Sequence, residues 1–332
     1  MKIRLAYATM HTGTAVALAA LTTLVGCGSD ALPFSELHSS VLAAACRYDV
    51  LCQDYPDQAT CLASVQTQPH FFDTMGADIA SGKVIYDGIS ARACVDGINS
   101  LSSCTRDALS ALSPSAAACN KVFTGTVAAG GTCFFSEECV GGGGCEKSDS
   151  CSGSYQCCAG TCQAPPTTVP AGGDCTTSPS VCAQGTICDV DPSSYKGICR
   201  APLAAGGPCS ASTLCGSGLY CDLVTTQTCR PLVPRGGTCN PQLGSQDCSA
   251  PQDFCDPNTS VCTPPLAVGS ACGNSSQTCV PYASCDVTSR TCVESPTVGA
   301  TCDPTTVPSC LAGDCDYTTA TCVLPAGDGA CS

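Results

Sequence analysis

Tryptophan is absent from this 332-residue chain, methionine occurs 3 times, and aromatic residues make up only 5%. Large aromatic side chains dominate the buried area of ordinary cores, so their scarcity excludes one large, conventionally packed domain. Much of the nominal 44% hydrophobic content is Ala and Cys. Basic residues are also few, 13 Lys and Arg against 27 Asp and Glu. Binding to nucleic acid neutralises phosphates with Lys and Arg, and this balance excludes nucleic acid as a partner. The longest apolar run, Gly13 to Leu24, is too short to cross a bilayer core of about 30 Å. No H-E-x-x-H, G-x-S-x-G or Walker pattern occurs anywhere, so the sequence offers no catalytic residue and no cofactor or metal site.

What the chain does have is cysteine, at 35 positions. Burying small side chains at about 25 cal/mol per Å² cannot offset an ordering cost of roughly 1–2 kcal/mol per residue, so a body of this composition must be stapled. The odd count is explained by the first cysteine. Lys2 and Arg4 precede the uncharged Gly13–Leu24 stretch, and residues 1–26 read as an export signal. Leu24-Val25-Gly26-Cys27 then matches the bacterial lipobox, in which the cysteine becomes the lipidated N-terminus. Setting Cys27 aside leaves 34 cysteines, an even number that suits full pairing in an oxidising compartment. Removing Lys2 and Arg4 leaves 11 basic residues against 27 acidic, a net charge of −16. Gly28 stands where an inner-membrane retention Asp would stand, so the expected location is the outer membrane or cell surface, with the lipid anchor as the membrane contact.

Residues 27–34 form a lipidated tether. The region 35–126 is poor in Gly and Pro, and Leu37, Val41, Leu42 and Ala45 recur at helical spacing. Helices are predicted over roughly 35–52, 57–67, 70–81, 90–102 and 105–112, with Ser35, Asp57, Ser90 and Thr105 as candidate caps. Its six cysteines, Cys46, Cys52, Cys61, Cys94, Cys104 and Cys119, can close internally as three bridges, in any of fifteen connectivities.

Over 127–332 an internal repeat of about thirty residues governs the text. Each copy opens with a Gly three residues before a cysteine: Gly172 and Cys175, Gly206 and Cys209, Gly236 and Cys239, Gly269 and Cys272, Gly299 and Cys302. The second cysteines are Cys182, Cys215, Cys248, Cys279 and Cys310. The third is followed at once by Asp, at Cys188-Asp189, Cys221-Asp222, Cys255-Asp256, Cys285-Asp286 and Cys315-Asp316. Cys199, Cys229, Cys262, Cys292 and Cys322 close the copies. Ahead of them stand Cys133, Cys139, Cys145, Cys151, Cys157, Cys158 and Cys162, and Cys331 follows the last copy.

Nine residues separate the fourth cysteine of one copy from the first of the next in four successive cases, while gaps inside the copies vary. A constant gap implies a fixed structural span. This leads to the expectation that bonded units straddle the sequence repeats, running Cys182–Cys209, Cys215–Cys239, Cys248–Cys272, Cys279–Cys302 and Cys310–Cys331, with the eight cysteines from Cys133 to Cys175 forming their own set.

Few other residues suggest chemistry. Vicinal Cys157-Cys158 with Cys162 could hold a soft metal, but halves of separate disulfides explain them better. His38 and His70 stand alone, Gly141–Gly144 reads as a flexible hairpin tip, and Glu137-Glu138 as a solvated pair. The repeated Asp suits a turn role better than a calcium site, because only one acid recurs per copy. The repeated Gly suits a positive φ or room for a neighbouring bridge.

The sequence Gly-x-x-Cys, leading through Cys-Asp to a closing cysteine, resembles the Dickkopf N-terminal cysteine-rich type of domain. With the lipobox, and with Gly82 to Asp87, Ala93-Cys94-Val95 and Cys104 in the helical part, the whole chain resembles the cysteine-rich lipoproteins of myxobacteria. The resemblance implies an envelope protein and carries no signalling role. The expected fold is small and disulfide-rich: an N-terminal α-helical six-cysteine domain, then tandem disulfide-knotted modules of loops and short hairpins, arranged as a lipid-anchored rod. The expected function is a non-catalytic scaffold that contacts a protein or cell-surface partner through the loops between first and second cysteines. A protease inhibitor or ligand-binding module is the alternative, for which Arg200, Arg230 and Arg235 are candidate contact residues.

Overall fold

The computed structural model describes residues 31–65, 69–105, 117–147, 157–177, 180–191, 194–210, 215–273, 278–286, 288–303, 310–324 and 331. Among the described residues four helices come first: α1 (Phe34–Leu51), α2 (Gln58–Val65), α3 (Pro69–Ser81) and α4 (Gly88–Asn99). They fall within a few residues of the predicted spans, whereas the predicted helix 105–112 lies almost wholly outside the described residues. Their core is small: Leu32, Leu37, Ala44, Ala91, Val95 and Val122 are buried together, with Phe34, Phe72, Tyr86 and Phe123 packed around them. Alanines at 44 and 91 let α1 and α4 approach closely. Strands β1 (Val84–Tyr86) and β2 (Phe123–Gly125) pair antiparallel, Val84 opposite Gly125.

Three bridges fasten this domain, Cys46–Cys61, Cys52–Cys104 and Cys94–Cys119, so its six cysteines do close internally. Asp57 caps α2, accepting from the Thr60 N–H at 2.8 Å. Two other capping expectations are corrected. Pro33 stands at the start of α1 without a side-chain cap. Asp87 caps α4, accepting from the Ile89 and Ser90 N–H groups, and Ser90 sits inside the first turn. One carboxylate oxygen of Asp87 accepts both N–H groups and the other accepts the Ser90 hydroxyl, so Ser90 serves the cap as a donor.

Beyond β2 the chain builds short two-stranded hairpins, each carrying the third and fourth cysteines of a repeat directly opposite one another. The opposed pairs are Cys188 and Cys199, Cys221 and Cys229, Cys255 and Cys262, Cys285 and Cys292, and Cys315 and Cys322. The bridges run first to third and second to fourth within each sequence repeat: Cys175–Cys188 with Cys182–Cys199, Cys209–Cys221 with Cys215–Cys229, Cys239–Cys255 with Cys248–Cys262, Cys272–Cys285 with Cys279–Cys292, and Cys302–Cys315 with Cys310–Cys322. Cys133–Cys145 and Cys139–Cys162 repeat the pattern in a leading copy, which makes six modules.

The expectation of units straddling the repeats is therefore overturned, and so is the closed set from Cys133 to Cys175. Opposed residues of a hairpin project from the same face, where the first and second segments can both reach them. A bridge between the opposed cysteines would only duplicate the hairpin's hydrogen bonds around a short loop. Crossed bridges instead pin two otherwise unpaired segments. The sulfurs become the module core: Cys239, Cys248, Cys255 and Cys262 are all buried together, as are Cys302, Cys310, Cys315 and Cys322.

The constant nine-residue gap is a fixed span, but backbone pairing sets its length. Six residues before each first cysteine the chain pairs in parallel with the second: Leu203 with Cys215, Val233 with Cys248, Leu266 with Cys279, and Val169 with Cys182. A tight turn follows, closed by Gly173 N–H to the Pro170 carbonyl, and likewise by Gly207 to Ala204 and Gly237 to Pro234. The repeated Gly occupies its third position with φ of 84° at Gly172, 80° at Gly206 and 82° at Gly299, as a type II turn requires. Its N–H then reaches the carbonyl of the fourth cysteine: Gly172 to Cys199 at 2.7 Å, Gly206 to Cys229 at 2.8 Å, Gly236 to Cys262 at 2.9 Å.

The last cysteine returns to the beginning of the array. Cys331 is bonded to Cys157, 174 residues earlier, and its N–H donates to the buried Thr74 hydroxyl of α3 at 2.8 Å. Midway, the Gln252 side-chain amide donates to Asp54 at 2.9 Å. The array is thus closed onto the helical domain, which corrects the rod. An open rod leaves its terminal module exposed on both sides, whereas closure buries the Cys331 end against α3.

Candidate interaction surface

In four modules the hairpin turn is built from the Asp that follows the third cysteine. The Asp286 carboxylate accepts from the Thr288 N–H at 2.9 Å and the Ser289 hydroxyl at 2.7 Å. Asp316 accepts from Thr318 N–H at 2.6 Å, Asp256 from Asn258 N–H at 2.8 Å and Asp222 from Thr225 N–H at 2.9 Å. These bonds hold Asp286 and Asp316 below the ordinary carboxylate range. The turn role assigned to the repeated Asp holds in these four modules. Asp189 differs, pairing with Arg200 at 3.2 Å.

The turns end in a left-handed residue, Gln227, Ser260, Arg290 or Ala320, whose carbonyl accepts the N–H of the module's first cysteine. Both ends of each turn are thereby fixed, and its outer side chains are presented to solvent. Tyr317 is 82% exposed, with Leu223 and Val224 also exposed at the equivalent tip, and Tyr195, 79% exposed, lies on the Asp189 hairpin, where its N–H donates to the Asp191 carbonyl at 2.8 Å.

One of the loops between first and second cysteines, which were expected to contact a partner, is internally ordered. Between Cys239 and Cys248, Asn240 caps the short helix Pro241–Leu243, Leu243 is buried, and the wholly buried Asp247 accepts the Asn240 N–H at 2.7 Å. Much of the corresponding loops in the neighbouring modules lies outside the described residues.

The three arginines weighed as inhibitor contacts are all held by carboxylates of their own modules. Arg200 pairs with Asp189, Arg230 with Asp222 at 3.5 Å, and Arg235 makes a two-pronged contact with Asp253 at 3.0 and 2.7 Å. Asp253 is fully buried, so the guanidinium supplies the charge that its carboxylate needs. Asp189 and Asp222 are the repeated Asp of their modules, whereas Asp253 gave no signal in the sequence.

Other candidate residues are placed as follows. His38 stacks on Phe72 with ring centroids 4.1 Å apart, and burial lowers its pKa while Asp73 opposes the shift. The side chain of His70 lies outside the described residues. Glu137-Glu138 is not a solvated pair: Glu138 is fully buried, accepts from the Phe134 and Phe135 N–H groups at 2.7 and 2.8 Å, and faces Lys83 at 3.9 Å. Burial raises the Glu137 pKa. Gly141–Gly144 is not a flexible tip either. Gly144 accepts from the Gln163 N–H at 2.8 Å, and a Cβ on Gly143 would overlap the Gln163 carbonyl, so the glycines permit a close backbone approach.

Cysteine sulfurs crowd within 4.8 Å of one another in the modules, as at Cys133, Cys139 and Cys162. Sulfurs engaged in cystines have no thiolate to offer a metal. Cys157, Cys158 and Cys162 belong to separate disulfides, as expected; Cys162 pairs with Cys139 and Cys158 is itself bonded. Seven cysteines stand between 133 and 162, and a parity count with the repeats closed in fours would have assigned the odd one to Cys331.

No family model matches the chain, and no curated protein or solved structure was found to be similar to it. The chain is a cysteine-rich repeat protein. Among the described residues no helix is long and apolar enough to cross a membrane.

Proposed function

We propose that the protein is a lipid-anchored, non-catalytic scaffold of the cell envelope, which contacts a protein partner through the hairpin tips of its modules. The observation that carries this reading is the division of labour within each module. Cysteines, turn Asp and repeated Gly are all engaged internally, while the tip side chains change from copy to copy and face solvent. Exposed tyrosines on rigid turns are well suited to contact, because little conformational entropy is lost when they bind. Closure of the array onto the helical domain holds the tips in a defined arrangement. The lipobox at Cys27 supplies the anchor, and Gly28 directs it outward.

The inhibitor alternative is weaker on this geometry. Arg200, Arg230 and Arg235 are occupied by internal carboxylates, and Arg290, exposed at a tip, has the left-handed φ of 54° where a protease binds extended backbone.

Intact mass of the mature protein, with and without alkylation under non-reducing conditions, tests the reading first. A diacyl or triacyl Cys27 and no alkylated thiol are expected. An unmodified Cys27 overturns the anchor, and several free thiols overturn the scaffold. Cross-linking on intact cells then separates the two uses: loss of a cross-linked partner in the Tyr195→Ala, Tyr317→Ala variant is expected for a tip-reading scaffold, and stoichiometric protease inhibition would favour the alternative.

A further inference from the structure

Ile89 and Ile85 are the most exposed large aliphatic side chains of the described residues, at 68% and 59%. They sit where the mature chain enters the fold. Leu32 N–H donates to the Gly88 carbonyl at 2.8 Å, and the Tyr86 hydroxyl donates to the Leu32 carbonyl at 2.6 Å. Leu32 is buried, so the tether is clamped against the β1–α4 junction, with Ile85 in β1 on one side of it and Ile89 in the first turn of α4 on the other. Ala31 stands only four residues after Cys27, at most about 14 Å along extended chain.

Charge at this connection is close to balanced, in contrast to the acidic excess of the whole protein. Arg92 lies close enough to Tyr86, and Lys121 to Asp87, to act on them electrostatically, and Lys121 is exposed. Lys83, 41% exposed, stands next to β1, though partly occupied by Asp78 and Glu138. Asp87 is a third opposing acid, and its carboxylate is engaged by the Ile89 and Ser90 N–H groups. Apolar side chains flanked by basic ones suit the boundary between headgroups and acyl chains of an anionic bilayer.

We infer that the β1–α4 connection is the membrane-facing surface of the protein, with Ile85 and Ile89 inserting at the bilayer interface beside the Cys27 anchor. The inference rests on the lipoprotein reading. It goes further by giving the helical domain a fixed orientation, with the anchor acting together with a second, protein-borne contact.

The absence of tryptophan allows a direct test. Ile85→Trp and Ile89→Trp each introduce a unique fluorophore into the full-length lipidated protein, and Tyr195→Trp and Tyr317→Trp serve as comparisons. The proteins are reconstituted in vesicles of phosphatidylethanolamine and phosphatidylglycerol with and without brominated acyl chains. A shift of emission to shorter wavelength, and quenching about twofold or more stronger at positions 85 and 89 than at 195 and 317, is expected. Equal or reversed quenching, in protein whose mass shows an acylated Cys27 and no free thiol, overturns the orientation and leaves the anchor standing. Absence of acyl chains on Cys27 overturns both.

Discussion

Cys157 and Cys331 stand 174 residues apart in the chain and are joined by a disulfide with their Cα atoms 5.1 Å apart. Every other bridge between described residues spans 52 residues or fewer. The modules are self-contained, and this one bond makes their series a closed body.

The Cys157→Ser, Cys331→Ser variant tests what closure contributes. A loop of this length would imply about 5 kcal/mol from chain entropy, but the inner bridges already shorten the unfolded loop, so a loss of about 2–4 kcal/mol is expected. Thermal unfolding should shift downward, and hydrogen exchange should rise at Thr74 and along α3. The repeat hairpins should keep their protection. Unchanged exchange at α3 would mean that the contact with Thr74 holds the end without the bond.

Arg235 and Asp253 form a second relationship that mutation can resolve. Asp253 is fully buried and Arg235 half-exposed, so Arg235→Met strands a buried carboxylate and should cost about 2–4 kcal/mol. Arg235→Lys should recover only part of this, because an ammonium cannot make the two-pronged contact. Combining Arg235→Met with Asp253→Asn should cost less than Arg235→Met alone. Denaturant unfolding of the wild type, Arg235→Met, Asp253→Asn and the double variant, taken as a double-mutant cycle with Arg235→Lys measured alongside, checks the order.

The turn carboxylates predict a pH dependence of definite sign. Asp286 and Asp316 have folded pKa values below the unfolded one, so the folded state binds fewer protons there. Their contribution is complete above the unfolded value of about 3.9 and is lost as pH falls through the lower folded values. It leaves no slope near neutrality. Carboxylate titration by NMR should give both groups midpoints below the ordinary Asp range, and Ser289→Ala should raise that of Asp286. An ordinary midpoint would remove the turn role.

Glycine at the repeated position predicts a graded series. A Cβ on Gly299 would meet nothing within 4 Å, so Gly299→Ala meets only backbone strain at φ of 82°, about 1–2 kcal/mol. Gly299→Asn should cost less, since Asn enters this region more readily. Gly125→Ala should be worse than either, because its Cβ would stand 2.3 Å from the Glu138 carbonyl carbon. Melting temperatures of the three variants test the ranking.

Much of this architecture was legible in the sequence, and for local reasons. The helices over 34–99, the positive φ of the repeated Gly and the turn role of the Asp each depend on residues a few positions apart, and the even count of six cysteines implied internal closure of the helical set without choosing the three pairings. The inference that failed concerned pairing. A constant nine-residue gap signalled a fixed span, but a backbone turn and a parallel bridge keep length constant as effectively as a covalent bond, and spacing alone does not distinguish them.

Sequence by itself determined the dependence on cystines, the modular period and the conformation of each turn, because composition and short-range hydrogen bonding are properties of neighbours. Only the tertiary structure decided that the bridges cross within a repeat, that Arg200, Arg230 and Arg235 are spent on internal carboxylates, and that Cys331 returns to Cys157 and Thr74. Those depend on which side chains a folded hairpin projects from one face and on which distant surfaces meet, and neither is written in the spacing of residues along the chain.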